Sequence, residues 1–249
     1  MTNVLVVGES WTSTATHVKG WDTFSSATSH SGLGFLQDAL GGGDVRLVHM
    51  PAHEAAEEFP FETAGLSDYD VVILSDVGSN TLLLHPDTWL LGRARPNRLA
   101  TLRAWVEGGG GLAMAGGYLS FQGLDGRARF RGTDVEAVLP CELDPWDDRV
   151  EKPEGFVVSL VAPEHPILAG LGGEWPLLLG YNRFRLKTDA TLLAAYGHDP
   201  ILAVREAGAG RTLAWASDVG PHWCPEAFAT WDGYRLLWTQ AIAWLAGAG

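Results

Sequence analysis

The chain is poor in cysteine, methionine and positive charge, and each shortage removes a class of function. Its two cysteines, Cys141 and Cys224, match no disulfide framework and no CxxC or HExxH zinc spacing, so neither metal nor cofactor is expected. Lys and Arg number 17 against 30 Asp and Glu, giving a formal net charge of −13. Nucleic acid and anionic membrane surfaces both require clustered cations, so neither is an expected partner. Apolar runs fall well short of a membrane span. Gly8-x-Ser10 and the glycines at 108–111 lack the spacing of a dinucleotide or phosphate loop. Met1-Thr2-Asn3 leads at once into an apolar stretch, leaving no room for a secretion signal; a soluble, cytoplasmic protein is the expectation.

What is present is a large core. Hydrophobic residues make up 46% of 249 positions, enough for one α/β domain spanning 1–249. Asn3–Val7, Val45–His49, Tyr69–Leu74 and Leu112–Ala115 read as buried parallel strands, each followed by glycine or polar residues. Helices are expected over 32–40, 52–58 and 97–107, the last with Leu99, Leu102, Trp105 and Val106 inward. The pattern argues for a doubly wound, mostly parallel sheet of flavodoxin type. Strands at 190–196, 201–205 and 211–217, with a Gly208-Ala209-Gly210-Arg211 hairpin, add a C-terminal extension before a final helix at 231–245. Residues 9–22, 80–95 and 175–184 read as loops, and the first is long enough to be functional.

In such a sheet the polar residues that follow the strands gather at one edge. Those are Glu9 and Ser10, Asp76, Gly116–Ser120, and Asp218 through His222 and Trp223. Tyr118 occupies the apex of a glycine-rich corner, as either a catalyst or a plug. His222 is a candidate acid–base group, with Glu9, Asp76 or Asp218 to orient it. Ser120 is either a nucleophile or a turn residue. Ser10, Trp11, His17, Lys19, Asn182 and Trp223 are candidate ligand contacts, although His17 and Lys19 serve equally as a subunit surface. Asp147, Asp148 and Arg149 read as an ion-pair network. Trp11, Trp21, Trp146 and Trp223 lie in polar segments, more tryptophan than one pocket needs, and self-association is expected.

Several stretches carry a resemblance: Leu5–Trp11, His17–Asp22, Leu74–Gly78, Pro96–Leu99, Gly116–Phe121, Asp147–Glu151, Leu179–Asn182 and Pro221–Trp223. They resemble the class I glutamine amidotransferase-like superfamily, and more narrowly the branch usually called putative glutamine amidotransferases. The resemblance implies the same flavodoxin-like fold, with Gly116–Ser120 as its nucleophile elbow. It also implies a cysteine at the elbow, a histidine, and an acid two positions after it. Here those places hold Tyr118, His222 and Cys224. A phenol with an ordinary pKa near 10 is a poor acyl acceptor at neutral pH. The orthodox thioester route is therefore not expected. Two readings follow: a hydrolase-type enzyme on a small polar metabolite, or a catalytically silent binding or assembly protein.

Overall fold

The computed structural model describes residues 1–247. Five strands run parallel: β1 (Thr2–Gly8), β4 (Val45–Met50), β5 (Val71–Ser75), β6 (Gly111–Ala115) and β14 (Gly210–Trp215). They are ordered β4-β1-β5-β6-β14, which in chain order is the 2-1-3-4-5 of a flavodoxin-like sheet. Their apolar runs are buried on both faces, Val4–Val7 and Val71–Leu74 almost completely, which is why they read as continuous rather than alternating.

Beyond β14 the sheet turns antiparallel through β13 (Asp199–Ala207), β12 (Thr191–Tyr196) and the short β9 (Ser159–Leu160). This is the expected C-terminal addition. Helix α8 (Asp232–Leu245) packs on β14, β6 and β1, with α1 (Gly34–Leu40) beside it. A second layer contains α2 (Ala52–Glu58), α3 (Ser79–Leu83), α5 (Arg98–Glu107) and α6 (Asp134–Val138). Asn97 caps α5, its carboxamide oxygen accepting from the N–H groups of Leu99 and Ala100. Leu99, Leu102 and Val106 face inward, and Trp105 only in part.

Arg98 accounts for the Pro96–Leu99 motif. It is completely buried, and its guanidinium donates to the carbonyls of Ala55, Ala56 and Phe59 at the end of α2 and of Thr81 and Leu82 in α3. Five main-chain acceptors replace a carboxylate partner. The negative ends of two short helices are thereby tied to the start of a third.

Three segments differ from expectation. Residues 9–22 are not a loop: β2 (Ser10–Lys19) and β3 (Asp22–Ser31) form a ribbon paired over its whole length. Gly20, at φ +63°, supplies the left-handed first position of the two-residue connection at its tip. The segment 80–95 holds α3 and α4 (Pro86–Leu91). Residues 175–184 contain β10 (Leu178–Asn182), paired antiparallel with β8 (Arg149–Phe156).

Candidate functional site

The polar strand ends meet as the topology requires. Glu9 follows β1 and Asp76 follows β5, both in left-handed backbone conformation, at φ +46° and +45°. Such strain in a non-glycine residue costs about 1 kcal/mol or more and persists where surrounding contacts impose it. Those contacts are visible. The N–H of Glu9 donates to Ser75 O at 2.6 Å, and the Ser75 hydroxyl donates to Glu9 Oε2 at 2.6 Å. Gly8 beside them is obligatory: at φ +97° a Cβ there would lie 2.1 Å from Ser75 O.

Asp76 fastens the corner after β6. Its Oδ1 accepts from the N–H of Leu119 at 2.6 Å, and its own N–H donates to Ser120 Oγ at 3.1 Å. Gly117, at φ +149°, passes so close that a Cβ would meet Asp76 Oδ1 at 2.9 Å. From the other side the carboxamide of Asn182 accepts from Gly117 N–H at 2.9 Å and donates to Asp148 at 2.8 Å. Asp148 also accepts from the N–H groups of Gln122 and Gly123. The corner is clamped by Asp76 and by Asp148 through Asn182.

Tyr118 stands on this clamped corner. Its hydroxyl donates to Glu151 Oε1 at 3.3 Å, and the other oxygen of Glu151 accepts from the Trp223 indole at 2.9 Å. The ring lies edge-on to His222, centroids 4.5 Å apart, beneath the Arg149 guanidinium at 4.8 Å. Arg149 is held by Asp147. His222 Nδ1 is 3.7 Å from the buried Asp218 carboxylate, and its ring is about half exposed.

Burial sets the protonation states. It pushes Glu9 up to about 7 and Asp218 well above the carboxylate range, the latter further raised by Glu9 and Asp76. Asp76 is raised by burial against the pull of Leu119 N–H and His222. Burial lowers His222, and burial followed by Glu151 raises Tyr118. At neutral pH the site therefore combines a neutral imidazole and a protonated phenol with a Glu9 carboxyl group close to its titration point. Among the described residues no group of three His, Cys, Asp or Glu side chains is placed to hold a metal ion.

The structure thus brings Glu9, Asp76, Tyr118, Asp218 and His222 to one edge, as expected. Other candidates are corrected. Asn182 and Trp223 are fully buried with their polar atoms engaged, so they position the corner and do not face a ligand. Ser120 is buried and its hydroxyl accepts from Asp76 N–H, a structural position and not that of a nucleophile. His17 and Lys19 lie far out on the ribbon, against Phe24. Ser10 and Trp11 instead line a cavity of about 550 Å3 at the ribbon's root, shared with His30, His49, His53 and Thr81. Glu151 was missed as an individual residue; the resemblance marked only the stretch containing it. Both cysteines are buried and their thiols raised by burial.

The profile of the family described as "Putative glutamine amidotransferase" matches residues 3–247. The chain belongs to that family. Two cytoplasmic proteins of Salmonella typhimurium are similar over almost their whole length. One is 39% identical, with 97% of this chain and 98% of that one covered and a TM-score of 0.92. The other, from strain LT2, is 36% identical, with 98% and 99% covered and the same TM-score. The "Putative thua-like protein" of Bacteroides uniformis shares the fold at 13% identity, a TM-score of 0.57, and 98% and 90% coverage. No curated protein matches the chain. It is a glutamine amidotransferase-like protein.

Proposed function

We propose that this family member is an acid–base enzyme of hydrolase type, acting on a small polar metabolite at the edge formed by Glu9, Asp76, Tyr118, Asp218 and His222. The observation that carries the reading is His222: half exposed, neutral at neutral pH, and 3.7 Å from a buried carboxyl group. A general base requires such a group, able to take a proton from water or substrate, with Asp218 behind the ring to orient it. Tyr118 and Arg149 supply a phenol donor and a fixed positive charge beside it. The orthodox glutaminase route has no nucleophile to start from, because both thiols are buried. The two Salmonella relatives, both cytoplasmic proteins, support a cytoplasmic location.

A second reading has its own support. The Tyr118 ring is packed by His222, Trp223 and Arg149 with its hydroxyl engaged by Glu151, which suits a corner that has been filled and retained for binding or assembly.

The discriminating experiment is a thermal-shift screen of small metabolites, followed by NMR of each hit incubated with wild type and with His222→Gln. The enzyme reading expects a hit that wild type consumes and that the variant turns over at least ~100-fold more slowly. Hits that stabilise both proteins and remain chemically unchanged would replace it with the binding reading.

A further inference from the structure

The β2–β3 ribbon is unlike the rest of the molecule. Every residue from Trp11 to Ser29 is exposed, and the two strands pair only with each other. An isolated two-stranded ribbon is marginal in water unless a further strand or a packing surface covers it. Its exposed tip region holds Val18, Trp21 and Phe24, with Trp21 fully exposed. Its only Lys, Arg, Asp or Glu residues are Lys19 and Asp22, in a chain with 47 such residues by composition (17 basic, 30 acidic). Depletion of charge with exposed aromatics is the composition of an interface centre.

A second uncovered apolar feature lies on the body. Trp89, Leu90 and Leu91 are consecutive on α4 and 71%, 71% and 58% exposed. The acid of that helix, Asp87, is already paired with Arg93 and Arg95. No other element of the chain covers the tip of the ribbon or this apolar row in the described structure.

We infer that the ribbon is an arm that clasps a second copy of this chain, its Trp21–Phe24 tip seated on the partner's Trp89–Leu91 helix. Each copy supplies one arm and one seat, so the contact is reciprocal and closes with two copies. The dimensions suffice. Ten residues per strand give an arm about 33 Å long and about 10 Å wide. With the whole face of the arm laid along the partner's body up to the seated tip, each arm covers about 330 Å2, and two arms with the surfaces beneath them bury about 1,300 Å2, within the range of stable interfaces. The neutral arm also lets two strongly acidic bodies meet without apposing like charges at the contact.

The test is sedimentation equilibrium at about 10 μM on three proteins: wild type, a variant in which residues 15–26 are replaced by Asn-Gly between the paired Thr14 and Ala27, and Leu90→Glu. Wild type is expected at twice the monomer mass. Both variants are expected as folded monomers, since both changes lie at exposed positions: Leu90→Glu keeps the wild-type far-UV circular dichroism, and the shortened variant loses only the strand signal of the deleted ribbon. The double variant Trp21→Cys, Leu90→Cys is expected to form a covalent dimer with oxidised glutathione, and the native thiols are too buried to contribute. A monomeric wild type, or a dimer that survives loss of the arm, overturns the inference. So does a dimer that survives Leu90→Glu.

Discussion

The carboxamide of Asn182 holds the main-chain N–H of Gly117 at 2.9 Å, tying the end of β10 to the corner that carries Tyr118. Both amide ends of Asn182 are spent, the other on Asp148 at 2.8 Å. Asn182→Ala leaves a buried N–H and a buried carboxylate each short of a partner, at a cost of about 2–4 kcal/mol. Urea denaturation measures that loss. NMR titration of the Asp148 carboxyl, now pushed up to about 6 by burial, is expected to move still higher without the Asn182 donor. An unchanged Asp148 titration would show that the clamp does not operate as described.

Glu9 makes stability depend on pH. Its folded pKa is raised from 4.5 to about 7, chiefly by burial, so the folded state binds a proton that the unfolded chain has released. That contribution is complete below about pH 4.5 and is lost as pH rises through about 7. A shift of this size corresponds to about 3 kcal/mol. Glu9→Gln keeps an acceptor for the Ser75 hydroxyl and removes the charge. The variant is expected to match wild type near pH 5 and to be the more stable of the two at pH 8. Denaturation curves at the two values decide it, and an equal offset at both would refute the assignment.

Gly180 is required by contact, not by backbone angle. A Cβ there would lie 2.3 Å from the Trp223 indole nitrogen that donates to Glu151. Gly180→Ala is expected to displace that indole and to destabilise by about 1–3 kcal/mol. Near-UV circular dichroism should lose part of its tryptophan signal; an unaltered spectrum and melt would count against it.

Arg98→Met removes one buried side chain and strands five carbonyls. The expected loss is about 3 kcal/mol or more, well beyond an ordinary surface substitution. Amide exchange should quicken in α2, α3 and α5 together, because one residue ties all three. Exchange that quickens in α5 alone would disprove the tie.

Much of this was legible in the sequence where burial on both sides writes a continuous apolar run. Val4–Val7, Val71–Leu74 and Leu112–Ala115 could hardly be anything but central strands, and they fix where Glu9, Asp76 and Tyr118 emerge. The ribbon was not legible because it has no buried face. Ser, Thr and His fill both faces and the few large apolar residues (Trp11, Val18, Phe24) do not recur along one face of either strand, so period 2 leaves no hydropathy trace, and only Gly20 marked the turn. Asn182, Trp223 and Ser120 were misread for the opposite reason. Polar groups after strands look like ligand contacts until their partners are known, and those partners (Asp148, Glu151, Asp76) come from distant segments.

The two cysteines have a use that their burial creates. Cys141 is sealed in β7 (Cys141–Glu142), and Cys224 lies beside Asp218 behind the His222 loop. In the native molecule neither is offered to an alkylating reagent, so each reacts only when its own segment breathes. Labelling kinetics at Cys224 thus time the opening of the loop that carries His222, and those at Cys141 time the opening of β7 from its partner strand Arg185–Leu186. The protein carries two clocks, one of them at its candidate site, and neither needs to be engineered.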